Sequence, residues 1–128
     1  MAEARSSVRH RQEIADMVHI VPAADKKPGD SRTIRFEGAD FGAPIAFFAV
    51  DAAPGQGPKL HLHPYAETWI VKRGRARVVA GDEAFELGPD DIAVMPANTP
   101  HKFTALEPER LEMVCIHAAG TMRQDNLE

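Results

Sequence analysis

The sequence is poor in the residues that mark several large classes of protein. Cys115 is the single cysteine among 128 residues, so no intramolecular disulfide can form and a reduced, cytoplasmic location is favoured. No apolar run approaches the roughly 18 residues that a membrane-spanning helix needs. The charged first segment, residues 1–17, also lacks the apolar region of a signal peptide. The net charge of −4 argues against a nucleic-acid partner.

What the sequence does contain is a series of short apolar runs that are rich in Val, Ile and Phe. These runs cover residues 33–37, 44–51, 67–72, 75–80, 91–95 and 110–117. Turn signals separate them, and the Gly81-Asp82 pair between two runs is typical of a hairpin. Short strands at regular spacing favour an all-β sandwich or barrel, and the length allows one domain with one core.

The chain divides into three segments by composition. Residues 1–32 are polar and charged, and we interpret them as an N-terminal arm with a short helix over 7–17, an early strand over 17–21, or both. Residues 33–118 carry the strand pattern and form the barrel. Residues 119–128 form a C-terminal tail. The arm is too short and too polar to make a second domain.

The residues with the clearest chemistry are histidines. His61 and His63 are two positions apart, so on a strand both side chains point to one face. Glu67 adds a carboxylate after a bend at Pro64, and His101 begins another apolar run after a proline-rich turn. Three neutral imidazoles and one carboxylate suit a divalent transition metal: Mn, Fe, Co, Ni, Cu or Zn.

The spacing around these residues resembles the first motif of the cupin family, G(x)5HxH(x)3–4E(x)6G. Gly55, His61, His63, Glu67 and Gly74 all stand at the required positions. The resemblance implies an all-β, cupin-type double-stranded β-helix (jelly-roll) barrel over roughly residues 33–118. It also implies that His61, His63, Glu67 and His101 hold one divalent metal ion.

The second cupin motif, G(x)5PxG(x)2H(x)3N, is matched in part. Pro96 and His101 are in place, while Asn98 replaces the central glycine, and Asn is the next best residue at a left-handed turn position. Ala105 replaces the final asparagine, and the leading glycine, Gly88, comes two positions early. These departures fall on turns and not on the metal ligands.

Strand parity extends the site into a substrate pocket. If Glu67 points inward, Trp69 and Val71 do so as well, and Phe103 follows His101 in the same way. A metal with apolar surroundings is typical of a small-molecule site, although Trp69 also suits ordinary barrel core.

Two further residues are candidates for catalysis. His117, at the end of the last long strand, is either a general base or a support for a metal ligand, or else a hydrogen-bonded structural histidine. Tyr65 either touches substrate or caps the rim of the barrel. One of Arg75 and Arg77 is a weaker candidate for holding a substrate carboxylate inside the barrel.

Three functions remain open from the sequence. The first is a metal-dependent enzyme that acts on a small oxygenated or carboxylate substrate, as a dioxygenase or as an isomerase or decarboxylase. The second is a non-catalytic cupin that binds or senses a small, sugar-like molecule, and the third is a subunit of a larger assembly. Oxalate decarboxylases are disfavoured, because Pro58 stands where those cupins place an arginine.

We also expect a homodimer. Small barrels have sheet edges that are usually covered. Leu60 and Leu62 lie opposite the paired histidines, where the arm, a partner or both would have to cover them.

Overall fold

The computed structural model describes residues 18–22 and 31–128, which contain ten strands and one short 3-10 helix. The strands are β1 (Ile34–Glu37), β2 (Ala46–Ala52), β3 (His61–Leu62), β4 (Glu67–Arg73), β5 (Ala76–Ala80), β6 (Glu83–Leu87), β7 (Ile92–Met95), β8 (His101–Ala105), β9 (Leu111–His117) and β10 (Asp125–Asn126). The 3-10 helix spans Gly38–Phe41. The predicted helix over 7–17 lies outside the described residues, and residues 18–21 contain no strand.

The strands form two five-stranded antiparallel sheets. The first sheet has the order β1-β2-β9-β4-β7, and the second has the order β10-β3-β8-β5-β6. Strands that are neighbours in space are mostly distant in sequence, as in a jelly roll. The all-β barrel prediction is confirmed.

Side-chain alternation explains why the barrel has a filled interior. Along β4, Glu67, Trp69 and Val71 are buried, while Thr68 and Ile70 between them are half-buried. Period-2 alternation sends every second side chain inward. The interior is a single apolar cluster in which Trp69, Leu111 and Met113 are among the largest buried side chains. Cys115 lies in that cluster as a free thiol, and the cytoplasmic location inferred from it stays a prediction.

Two turns behave as the sequence indicates. Gly81 has a φ of 56° in the two-residue turn between β5 and β6, which confirms the predicted hairpin. Asn98 has a φ of 62°, so it takes the left-handed conformation expected where the cupin motif has glycine. That turn delivers His101 to the start of β8.

The C-terminal segment lies beside Leu60 and Leu62. Asp125 of β10 pairs with Leu62, and the Leu127 amide donates a hydrogen bond to the Leu60 carbonyl at 2.9 Å. Both leucines are half-buried as a result. They therefore give no support to a dimer. Within residues 18–22 and 31–128, no helix is long and apolar enough to cross a membrane.

Candidate metal centre

The first of the paired histidines, His61, opens the two-residue strand β3, and His63 directly follows that strand. His61 pairs directly with His101 of β8, and the chain bends away at Pro64 immediately after His63. His61 and His63 are both buried, and Leu62 between them points the other way. The second sheet thus brings His61 of β3, His101 of β8 and His63, just beyond β3, to one point inside the barrel.

Glu67 reaches the same point from the first sheet. It is the first residue of β4, and its Oε1 atom lies 3.2 Å from His63 Nε2 and 3.1 Å from His101 Nε2. The potential ligand atoms of His61, His63, Glu67 and His101 all lie within 4.8 Å of one another. The structure brings together the four residues that the sequence predicts as ligands.

Backbone carbonyls orient all three imidazoles. The Nδ1 atoms of His61, His63 and His101 lie 2.6, 2.7 and 2.7 Å from the carbonyl oxygens of Lys59, Arg123 and Thr99. Each Nδ1–H therefore donates outward, which leaves Nε2 to bind a metal or, at His101, to hydrogen-bond Glu67 Oε1 at 3.1 Å. This arrangement is typical of metal-bound histidines. The buried His63 Nε2 makes no hydrogen bond, as expected for an atom that binds a cation, so the residues fit a metal.

The electrostatics keep one negative charge in the cluster. Burial alone would raise the pKa of the Glu67 carboxyl, but His101, His117 and His63 outweigh it and hold that pKa far below its ordinary value. Burial lowers the pKa of His61, which favours its neutral, ligating form. Burial would also lower the pKa of His63, but Glu67 and the Arg123 carbonyl together raise it.

These shifts predict how metal affinity depends on pH. A metal binds only neutral imidazole. Because the pKa of His63 is raised, this side chain becomes protonated at a higher pH than an ordinary histidine, whose pKa is about 6.5. Affinity should therefore be full above the raised pKa of His63 and fall as the pH drops through it. Glu67 stays ionised across this range and does not add to the fall. Competition with a chelating dye from about pH 5 to about pH 8 measures the effect, and an affinity that is constant over this range would contradict it.

His117 and Tyr65 adjoin the cluster as a connected pair. Tyr65 Oη accepts a hydrogen bond from the Arg123 amide at 3.1 Å, and its own proton can be donated to His117 Nδ1 at 2.7 Å. The opposite atom, His117 Nε2, lies 3.3 Å from Glu67 Oε2, although this contact falls short of hydrogen-bond geometry. The Tyr65 ring also stacks on His63, with 9° between the ring planes. Tyr65 thus contacts His63, and His117 contacts Glu67, so each member of the pair adjoins one of the four predicted metal ligands.

A cavity of about 550 Å³ opens from the cluster. Trp69 and Phe103 line it as predicted, with their ring centroids 5.3 Å apart. Val71 points inward, but it is fully buried in the core and is not among the cavity-lining residues. It stands one inward position beyond Trp69, which separates it from the cavity. The pocket role expected of Val71 is therefore not supported.

Sequence reasoning missed several residues of the cavity wall. Phe48 and Cys115, which pair across β2 and β9, both line it. Arg32 and Arg110 also line it, whereas Arg75 and Arg77 are exposed on the outside of the second sheet. The sequence did contain a signal for Cys115. It lies two positions before His117 on β9, so both side chains point to the same face.

Sequence comparison relates the chain to a protein family and to two curated proteins. Residues 48–117 match a family model described as a cupin domain. Over 106 residues the chain is 31% identical to polyketide synthase CurC of Streptomyces cyaneus, which covers 81% of this chain and 68% of that protein. Over 69 residues it is 32% identical to mannose-1-phosphate guanylyltransferase of Salmonella muenchen, covering 54% of this chain but 14% of that enzyme.

Solved structures share the architecture. A double-stranded β-helix protein from Klebsiella pneumoniae superposes with a TM-score of 0.66 at 25% identity, covering 87% of this chain and 98% of that one. Oxalate decarboxylase from Bacillus subtilis superposes with a TM-score of 0.71 at 22% identity, covering 93% of this chain and 37% of that one. At this identity the decarboxylase shows a common fold alone.

Proposed function

This chain belongs to the cupin domain family, and we propose that it is a metal-dependent cupin enzyme whose small substrate binds through two neighbouring oxygen atoms. The observation that carries the proposal is that the cluster opens onto a cavity whose wall includes Phe48, Trp69 and Phe103. His61, His63 and Glu67 all line that cavity. Four protein ligands on a six-coordinate metal leave two positions for a ligand from outside.

The donor set supports a divalent metal without selecting one. Imidazole with carboxylate suits Mn, Fe, Co, Ni, Cu and Zn, and one structural relative, the oxalate decarboxylase of Bacillus subtilis, has Mn(II) centres. We propose that the Nε2 atoms of His61, His63 and His101, together with Glu67 Oε1, hold the ion. A bound ion of this kind polarises oxygen atoms that coordinate it and stabilises negative charge that develops on them.

The substrate class we propose is a compound with two carbonyl groups on either side of one carbon. The named relative from Streptomyces cyaneus is a polyketide synthase component, and polyketide chains carry carbonyls in this spacing. Phe48, Trp69 and Phe103 on the cavity wall suit the carbon skeleton of such a molecule. The two oxygen atoms of such a molecule could occupy the two positions left open on a metal held here, which would stabilise its enolate form, so this site supports a dioxygenase or an isomerase.

In this proposal Tyr65 and His117 are positioning residues. The Tyr65 hydroxyl orients the His117 ring. The opposite edge of that ring faces Glu67 Oε2, whereas His63 and His101 face Glu67 Oε1. With Nδ1 accepting the Tyr65 proton, His117 presents an N–H and not a lone pair to the cluster. That N–H faces the carboxylate at 3.3 Å and attracts it without a full hydrogen bond, so His117 does not act as a general base from this state.

The proposal is tested with metal-loaded protein and a panel of simple probes. β-Diketones, flavonols and keto acids are added in turn, and oxygen uptake and ultraviolet absorbance are followed. We expect metal-dependent turnover of a β-diketone, lost in the His101→Ala variant. If the metal-loaded protein binds none of these probes, or binds them without turnover, a metal-dependent enzyme of this kind is excluded.

A sugar-binding cupin is the second candidate. The match to mannose-1-phosphate guanylyltransferase of Salmonella muenchen favours it, but that match covers 54% of this chain. Sugar phosphates therefore belong in the same panel. Binding of a sugar phosphate without turnover, in the absence of β-diketone binding, would favour this function.

We further propose that the protein is a homodimer, built on the outer face of the first sheet. The outward positions of this sheet lie side by side across its strands. Thr68 is polar, and Asp51, Arg73 and Glu112 are charged at one end of the sheet. The other outward positions are apolar: Ile34, Phe36, Phe47, Ala49, Ile70, Ile92, Val94, Val114 and Ile116. Ile92 and Val94 are 66% and 59% exposed. A continuous apolar face of this kind is typical of an interface, and a second copy offers the matching surface.

The dimer predicts a mass of twice 14.0 kDa in light scattering at micromolar concentration. Val94→Lys should convert it to the monomer mass, because the charge would be buried in the interface. Thr104→Lys, on an exposed position of the second sheet, is the matched control and should leave the dimer intact. A wild-type mass of 14.0 kDa, or a Val94→Lys protein that stays dimeric, would contradict this interface.

A further inference from the structure

The cavity has a second end, far from the metal cluster. His117 and Arg110 both line it, and β9 with its preceding residue separates them by about 20 Å of extended chain, at about 3.3 Å per residue. Ala52, which pairs with Leu111 next to Arg110, lines the cavity as well. The cavity therefore runs along the barrel, and a ligand that fills it is elongated.

Arg110 is held rigidly at this second end. Its Nε–H donates to Asp51 Oδ1 at 2.7 Å, and its Nη2–H donates to the Asp51 carbonyl oxygen at 3.3 Å. The Asp51 amide in turn donates to Thr33 Oγ1 at 3.1 Å. The Asp51 carboxylate neutralises the charge of Arg110, while the remaining guanidinium nitrogen makes no bond to a described residue.

Arg32 adds a positive charge at the same end, and no carboxylate of the described residues pairs with it. It lies just before β1 and lines the cavity with Ser31 and Thr33. Among the described residues it has no hydrogen bond and no ion pair, whereas Arg35 and Arg73 pair with carboxylates. Among the described residues that line this end, the two arginines, Arg32 and Arg110, thus outnumber the one carboxylate, Asp51.

We infer that Arg32, with Arg110 beside it, binds a carboxylate at the outer end of the substrate. This inference rests on the proposed function, because it takes the inner end of the same molecule to be the dicarbonyl group at the metal cluster. Phe48, Val50 and Trp69 between the two ends require an apolar middle section. The substrate class is thus an elongated acid with an apolar or aromatic middle and a 1,3-dicarbonyl group at its far end.

Trp69 provides the readout for a direct test. It is the single tryptophan of the chain and lines the cavity, so its fluorescence should report a ligand that enters. The probes are an aryl 1,3-diketone that carries a carboxylate on the distant side of the ring, and the methyl ester of the same compound. Both are titrated into metal-loaded wild type, Arg32→Ala and Arg77→Ala. Arg77 is exposed on the second sheet, away from the cavity, and is the matched control.

We expect the acid to bind wild type about fivefold more tightly than the ester, which is the range for a charge pair close to solvent. Arg32→Ala should remove this preference and leave the ester unchanged, and Arg77→Ala should alter neither affinity. Added salt should weaken the acid alone. Equal binding of acid and ester to wild type, or an Arg32→Ala protein that keeps the preference, would overturn this inference and leave the proposed function standing. Failure of both probes to bind would contradict the proposed function and the inference with it.

Discussion

Replacing His101 with alanine is expected to weaken metal binding by more than about 100-fold. Removal of a group that only supports a ligand typically costs about 10- to 100-fold, and loss of a ligand itself costs more. His101 Nε2 lies 3.1 Å from Glu67 Oε1, and its Nδ1 is held by the Thr99 carbonyl, so its imidazole is already oriented toward the cluster. Titration with Mn²⁺ or Zn²⁺ against a competing chelator measures the affinity.

Tyr65→Phe is the matched control for this prediction. It keeps the ring stacked on His63 and removes the hydroxyl that contacts His117, so it alters the support of Glu67 without removing a ligand. We expect a loss of about tenfold in affinity. Equal affinities for wild type and His101→Ala would show that the fourth ligand is a different residue, and His117 would be the next to examine because of its position beside Glu67.

Replacing His61 and His63 together with alanine is expected to abolish metal binding while the barrel stays folded. The cluster lies at one end of the interior, and the fold rests on a separate apolar core that includes Trp69, Leu111 and Met113. A domain of this size buries enough apolar surface to fold without a metal. The far-ultraviolet circular dichroism spectrum of the double variant should therefore match that of the metal-free wild type.

Thermal unfolding separates the two roles of this histidine pair. Adding metal should raise the melting temperature of wild type, because the ion binds the folded state alone, and should leave the double variant unchanged. A double variant that is unfolded at room temperature would show that the cluster is part of the structural core. A double variant that is still stabilised by the metal would place the ion elsewhere.

The parts of the site that follow from local spacing could be predicted from the sequence. Side-chain alternation places His61 and His63 on one face of their strand, and Trp69 and Glu67 on one face of theirs. The left-handed turn at Asn98 depends only on the backbone conformation of that residue. The hairpin at Gly81 is likewise a local feature. Each of these features depends on residues that are close together in the chain. At that range, turn signals and the two-residue periodicity of a strand are enough for a prediction.

The parts that depend on barrel closure could not be predicted in this way. The Arg123 carbonyl orients His63 across 60 residues, and His117 meets Tyr65 across 52. Which end of the chain covers Leu62 depends on whether β10 or the arm pairs with β3, and neither has a strong strand pattern. The apolar outward residues of the first sheet resemble ordinary core in the sequence, because periodicity does not distinguish a face that meets the interior from one that meets a partner.

The most direct test of the central claim is the metal content of wild-type protein that has been purified without an affinity tag, measured by plasma mass spectrometry. The account predicts one divalent transition metal ion per chain, either as purified or after reconstitution, and none in the His61→Ala, His63→Ala double variant. A wild-type protein that holds no metal even after reconstitution with Mn, Fe, Ni and Zn would contradict it.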